Sequence, residues 1–153
     1  AALIVARILF GKADLTMAIN GALAGLVSIT AEPLTPGALQ ATLIGGVGGV
    51  LVVFAILAFD KIRIDDPVGA ISVHGVAGIW GTLAVCLTNP EASLGAQLLG
   101  IASIFAWVFI ASLIIWSLIK AVIGLRVSEE EEYDGVDQVE CGMEAYPEFT
   151  SKK

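Results

Sequence analysis

Four apolar segments, at about residues 15–31, 38–59, 67–87 and 94–124, occupy most of this 153-residue chain. Each is long enough, or nearly so, to cross a hydrocarbon core as a helix of about 20 residues. The connections at 32–37, 60–66 and 88–93 are short, so successive helices are expected to be antiparallel neighbours. With 57% hydrophobic and 15% charged residues, and a mean hydropathy of +0.89, too little polar surface remains to cover a soluble domain. The expected fold class is all-α, a polytopic membrane helix bundle over residues 1–125 followed by an acidic C-terminal tail at 126–153. The run 1–11, interrupted by Arg7, has about half the crossing length and reads as the end of a helix that starts upstream.

Charge is distributed unevenly along this frame. The net charge of −7 belongs mainly to the tail, and that acidity argues against a nucleic-acid partner. Lys12, Lys61, Arg63 and Lys120 in the apolar part, and Arg126 at the start of the tail, lie at alternate ends of the segments, while 32–37 and 88–93 contain no Lys or Arg. The positive-inside rule then puts 60–66 and the tail in the cytoplasm and 32–37 and 88–93 outside. The two cysteines, Cys86 in an apolar run and Cys141 in the tail, suggest neither a disulfide framework nor a metal cluster.

Small residues punctuate the segments. Gly21 and Gly25 form one G-x-x-x-G, and Gly45 and Gly49 form another. That spacing lets membrane helices approach closely, and packing alone accounts for it.

The third segment carries the functional reading. It opens with Asp65-Asp66-Pro67, where an aspartate can cap the free N–H groups of a first turn and Pro suits the first helical position. Counted from Pro67 at helical spacing, Pro67, Ala70, His74, Gly78 and Gly81 fall on one stripe. A lone imidazole at mid-depth is costly without a partner. It is either a buried histidine satisfied by a neighbouring helix or a neutral histidine facing a pathway, with one ring nitrogen as donor and the other as acceptor. A pathway closed in by glycines would be narrow, suited to a small polar solute or a proton.

The stretch Asp65-Asp66-Pro67-Val68-Gly69-Ala70-Ile71-Ser72-Val73-His74-Gly75-Val76-Ala77-Gly78-Ile79-Trp80-Gly81-Thr82 resembles the penultimate helix of the ammonium transporter (Amt/Mep) family. Asn20-Gly21-Ala22-Leu23-Ala24-Gly25-Leu26-Val27 and Gly124-Leu125-Arg126-Val127 agree with it in order and spacing. The resemblance covers essentially the whole chain and corresponds to roughly the last four transmembrane helices and the cytoplasmic tail. It implies that His74 is the second of two paired pore histidines, that Ala70 lines the pore one turn before it, and that Asp66 is the structural aspartate at the helix start. It further implies ammonium and ammonia as substrates, a homotrimer in the cell membrane, a cytoplasmic C-terminus that contacts PII-type signal proteins, a role in nitrogen uptake, and no cofactor or metal.

Departures from the family pattern fall at two places. Gly69 stands where an acidic residue is frequent, and Cys141 stands where a histidine usually precedes Gly142. The tail combines the acidic run 129–132 with apolar residues Val136, Val139, Met143, Tyr146 and Phe149 at three- to four-residue intervals. That pattern predicts a short amphipathic surface, for which Lys61 and Arg63 are the natural cationic counterparts. Two alternatives share the same membrane core, an ammonium sensor or receptor and a Rhesus-type ammonia channel. An intramembrane enzyme is a poor fit, because the segments offer one histidine without a carboxylate, nucleophile or ligand set beside it.

Overall fold

The structure, a computed structural model, describes residues 1–143. Its helices are α1 (Ala2–Phe10), α2 (Leu15–Thr30), α3 (Ala38–Lys61), α4 (Ile71–Thr88), α5 (Leu94–Val122), α6 (Glu129–Asp134) and α7 (Val136–Cys141). The four expected spans differ in length. Among the described residues α3, α4 and α5 are long and apolar enough to cross a membrane, whereas α2 is a shorter apolar helix. At 1.5 Å per residue its 16 residues rise about 24 Å. The chain divides into two compact units, Ala1–Phe105 and Ala106–Lys153, with the division falling inside α5.

Local chemistry sets the helix ends in the first unit. Asp14 caps α2 by accepting a hydrogen bond from the Met17 N–H at 2.9 Å and another from the Thr16 hydroxyl. Those two donors, the Thr16 hydroxyl foremost, hold its carboxyl below the usual range. α3 starts where the Gln40 side chain accepts from the Gly37 N–H at 3.0 Å. It closes with two crossed bonds, Ile64 N–H to Phe59 C=O at 2.9 Å and Arg63 N–H to Asp60 C=O at 3.0 Å. Arg63 supplies the left-handed residue, φ 59°, that this closure needs and that is usually glycine.

α2, α3 and α4 pack on one another, with α1 laid against α2 and α3. The core between them is Ala2, Ala6, Met17, Ala24, Val52, Val53, Val73 and Ala77, so apart from Met17 it is built from small and β-branched side chains. Backbone proximity replaces bulk. A Cβ placed on Gly25 would lie 3.5 Å from the Gly45 carbonyl oxygen, and one on Gly45 would lie 3.4 Å from that of Gly25. Gly21 lies against Gly49 in the same way, which makes α2 and α3 antiparallel and assigns both G-x-x-x-G pairs to packing.

Ser28 marks the tightest point. A Cβ on Gly81 would fall 2.6 Å from the Ser28 carbonyl oxygen, and one on Gly48 would fall 2.9 Å from that of Ala24 while overlapping the Ser28 hydroxyl. Three helices therefore meet around a serine that is 2% exposed and satisfies its hydroxyl on Ala24 C=O at 2.6 Å. No residue of α5 is buried.

The second unit holds the two short helices. Ser128 and Glu131 form a reciprocal cap at the start of α6, with the Glu131 carboxylate accepting from the Ser128 N–H and hydroxyl at 2.8 Å each. Those donors hold the Glu131 carboxyl below its ordinary value. Arg126 pairs with Glu132. Val136, Val139 and Met143 are exposed, and the expected continuation of their apolar pattern at Tyr146 and Phe149 lies outside the described residues.

Candidate functional site

The segment expected to be helical from Pro67 starts later. Residues 67–69 form a turn closed by Gly69 N–H on Asp66 C=O at 2.9 Å, and α4 opens at Ile71. Gly69 explains the delay. Its φ is +74°, and a Cβ there would sit 2.9 Å from the Asn20 side-chain nitrogen, so the position is closed to other side chains on two grounds.

Asp66 caps the helix from across that turn. One carboxylate oxygen accepts from the Ile71 N–H at 3.0 Å, and the other accepts from the Ser72 N–H and the Ser72 hydroxyl, each at 2.9 Å. Partial burial pushes its carboxyl up, but these donors together outweigh it and hold the group below its ordinary value. Asp66 is thus an ionised anchor for the first turn of α4, while Asp65 is exposed and makes no such bonds.

The turn that Asp66 anchors is π-helical over Ile71–Val76. An i→i+5 turn is wider than an α-turn and is frequent at functional positions. Its consequence is a break in the stripe counted from Pro67. Ser72 and Val73 face the bundle at 0% and 1% exposure, whereas Ala70 and His74 are exposed. Further along, Gly81 turns inward against Ser28, so the five stripe positions do not share one face. The His74 side chain makes no hydrogen bond among the described residues, and no three His, Cys, Asp or Glu side chains there gather as a metal site.

Two further contacts were not legible in the chain. The Trp80 indole N–H donates to Ile44 C=O at 3.0 Å, tying α4 to α3. At the end of the bundle where α2 and α4 finish, Asn89 donates to a Glu32 carboxylate oxygen at 2.8 Å, joining the two connections. A buried indole needs an acceptor, which is the signal Trp80 offered, but the residues 36 and 57 positions apart could not be paired from sequence.

A model of the Ammonium Transporter Family matches residues 1–146. The chain belongs to this family. It is 37% identical over 154 residues to ammonium transporter Amt1 of Haloferax mediterranei, covering 97% of this chain and 30% of that protein. It is 35% identical over 159 residues to ammonium transporter Amt2 of Archaeoglobus fulgidus, covering 91% of this chain and 34% of that protein. A solved structure titled Sensor Amt Protein superposes with a TM-score of 0.84 at 34% identity, over 91% of this chain and 37% of that one. The chain therefore spans about a third of the length of the relatives it matches.

Membership in the ammonium transporter family makes this a membrane protein of a transport family rather than an enzyme, and it agrees with the helical bundle and its apolar spans. Within that family frame, the geometry brings Asp66 and Ser72 together at the start of α4 and leaves Ala70 and His74 on the outer side of the same turn.

Proposed function

We infer that this chain is the C-terminal part of an ammonium transporter and forms one wall of a narrow, largely apolar pathway for ammonium and ammonia. The observation that carries this reading is His74, an imidazole in a π-helical turn that is exposed and unbonded while its neighbours Ser72 and Val73 are buried. In a span, such a ring facing hydrocarbon would leave its polar atoms unsatisfied at a cost of several kcal/mol, about 2–7 per group. A second imidazole from the remainder of the transporter, completing a neutral pair, removes that cost and leaves a donor and an acceptor for the solute. Ala70, one turn earlier on the exposed side, lines the same wall, and Asp66 fixes the turn that aims both.

The same reading assigns the whole protein to a homotrimer in the cell membrane, serving nitrogen uptake, with 60–66 and the acidic tail in the cytoplasm. It also gives the tail, with α6 and α7, the role of meeting a PII-type signal protein. Similarity to the solved Sensor Amt Protein favours a second reading, in which the same core senses ammonium.

The test is His74→Ala in the full-length protein, read as ammonium-driven current and labelled methylammonium uptake in vesicles. Transport is expected to be abolished or altered while membrane insertion and oligomer size stay as in wild type. Unchanged current and uptake would overturn the pathway role. Wild-type protein that binds ammonium yet moves neither charge nor solute selects the sensor.

A further inference from the structure

A small cavity lies at the end of the bundle where α2 and α4 finish, lined by Ser28, Ile29, Glu32, Val85, Thr88 and neighbours on α3 and α4. Its volume is about 10 Å³, room for one occupant the size of a water molecule. His74 lies elsewhere. Val85 is eleven residues further along α4, a rise of about 16 Å, so this cavity is separate from the wall described above.

Glu32 is unevenly served. One carboxylate oxygen accepts from the Thr35 hydroxyl at 2.6 Å and from the Asn89 side chain at 2.8 Å. The other is buried with no hydrogen-bond partner among the described residues. An unpaired buried carboxylate oxygen costs more than a neutral group, because the charge is concentrated there.

The charge nearest the cavity is negative, since the positive N-terminus of α3 at this end lies six residues, about 9 Å of rise, before the lining residue Ile44. Ser28 and Ile29 belong to the last turn of α2, and Val85 and Thr88 to the last turn of α4. Each helix end carries about −0.5 elementary charge. No Lys or Arg occurs at 31–37 or 89–93, the connections that leave these two ends. The Ser28 and Thr88 hydroxyls spend their protons on Ala24 C=O and Val85 C=O, at 2.6 and 3.3 Å, so both present lone pairs.

We propose that this cavity binds a single monovalent cation of about water's size, held by the free oxygen of Glu32 between the C-terminal ends of α2 and α4. A water molecule would satisfy the oxygen but leave the carboxylate and two helix ends uncompensated. A divalent ion needs about six or more oxygen ligands, more than one carboxylate and a few neutral oxygens in this volume provide. Ammonium and potassium share the required charge and size. Ammonium adds N–H donors that match the acceptors.

Thallium(I), an anomalous scatterer of similar radius, is the probe. Crystals of the full-length protein in chloride-free buffer are soaked with thallium(I) acetate, in wild type and in Glu32→Gln. The expected result is an anomalous peak beside the free Glu32 oxygen that disappears in Glu32→Gln. Competition with ammonium acetate and potassium acetate identifies the source, the effective competitor being the physiological ion. A water in place of the peak in wild type would overturn the proposal. So would a peak that persists in Glu32→Gln, or one that neither ion displaces. The wild-type soak alone decides the matter should the variant fail to fold.

Discussion

Ser72 gives both of its donors to a single oxygen of Asp66, the backbone N–H and the hydroxyl each at 2.9 Å. The second Asp66 oxygen takes the Ile71 N–H, so one carboxylate satisfies the start of a membrane helix from across a turn. Charge-assisted bonds of this kind are about twice as strong as neutral ones. Asp66→Asn, which turns one acceptor into a donor facing other donors, should lower the stability of the full-length protein by about 1–3 kcal/mol, and Ser72→Ala by about 1 kcal/mol. Thermal unfolding in detergent measures both. An Asp66→Asn midpoint equal to wild type would remove the anchor role.

The same carboxylate makes a pH prediction. Its folded-state value is held below the ordinary 3.8, so folding favours the ionised form. The stabilisation is then fully present above the unfolded value and is lost as pH falls through the folded one. Wild type should lose more stability on acidification below about pH 4 than Asp66→Asn does. Parallel acid profiles for the two would count against it.

Ser28 predicts a contrast between two glycines. Gly81→Ala drives a methyl into the Ser28 carbonyl, a backbone atom that cannot step aside. Gly48→Ala meets the Ser28 hydroxyl and, at 2.9 Å, the Ala24 carbonyl oxygen. Both should destabilise by about 1–3 kcal/mol. Ser28→Ala should recover part of the loss for Gly48→Ala and none for Gly81→Ala, a coupling that a double-mutant cycle of unfolding midpoints reads directly.

Orientation can be read by labelling. With Lys61 and Arg63 at the cytoplasmic side and 32–37 outside, an impermeant thiol reagent should modify Pro36→Cys but not Lys61→Cys in intact cells. Modification of Lys61→Cys alone means the opposite topology.

The acidic tail should regulate rather than build the membrane part. No residue of α6 or α7 is buried, and no span includes them. Removing 129–153 from the full-length protein should therefore leave insertion at wild-type levels and alter transport activity or its response to a signal-protein partner. Failed insertion of the shortened protein, seen by membrane fractionation, contradicts that expectation.

Class and family were readable from the chain because both depend on local chemistry. Apolar runs such as those containing α3 and α5 cannot be covered in water, and the residues around Asp66 and His74 form a long contiguous signature. Contiguity is why His74, Ala70 and Asp66 could be singled out. The start of α4 was not readable, since Pro67 satisfies the usual rules for a first helical position. What moved the start to Ile71 is a left-handed Gly69 pressed against Asn20, a residue of another helix. The wide turn at Ile71–Val76 then overrode a stripe drawn at α-helical spacing, sending His74 outward and Gly81 onto Ser28. Likewise the Trp80 bond to Ile44 and the Glu32 bond to Asn89 join residues far apart in sequence. The sequence by itself determined that these helices must leave water and which family they belong to. Only the tertiary structure decided which faces turn inward, because the cost of an unpaired polar atom or a crowded backbone is set by whatever the neighbouring helix places there.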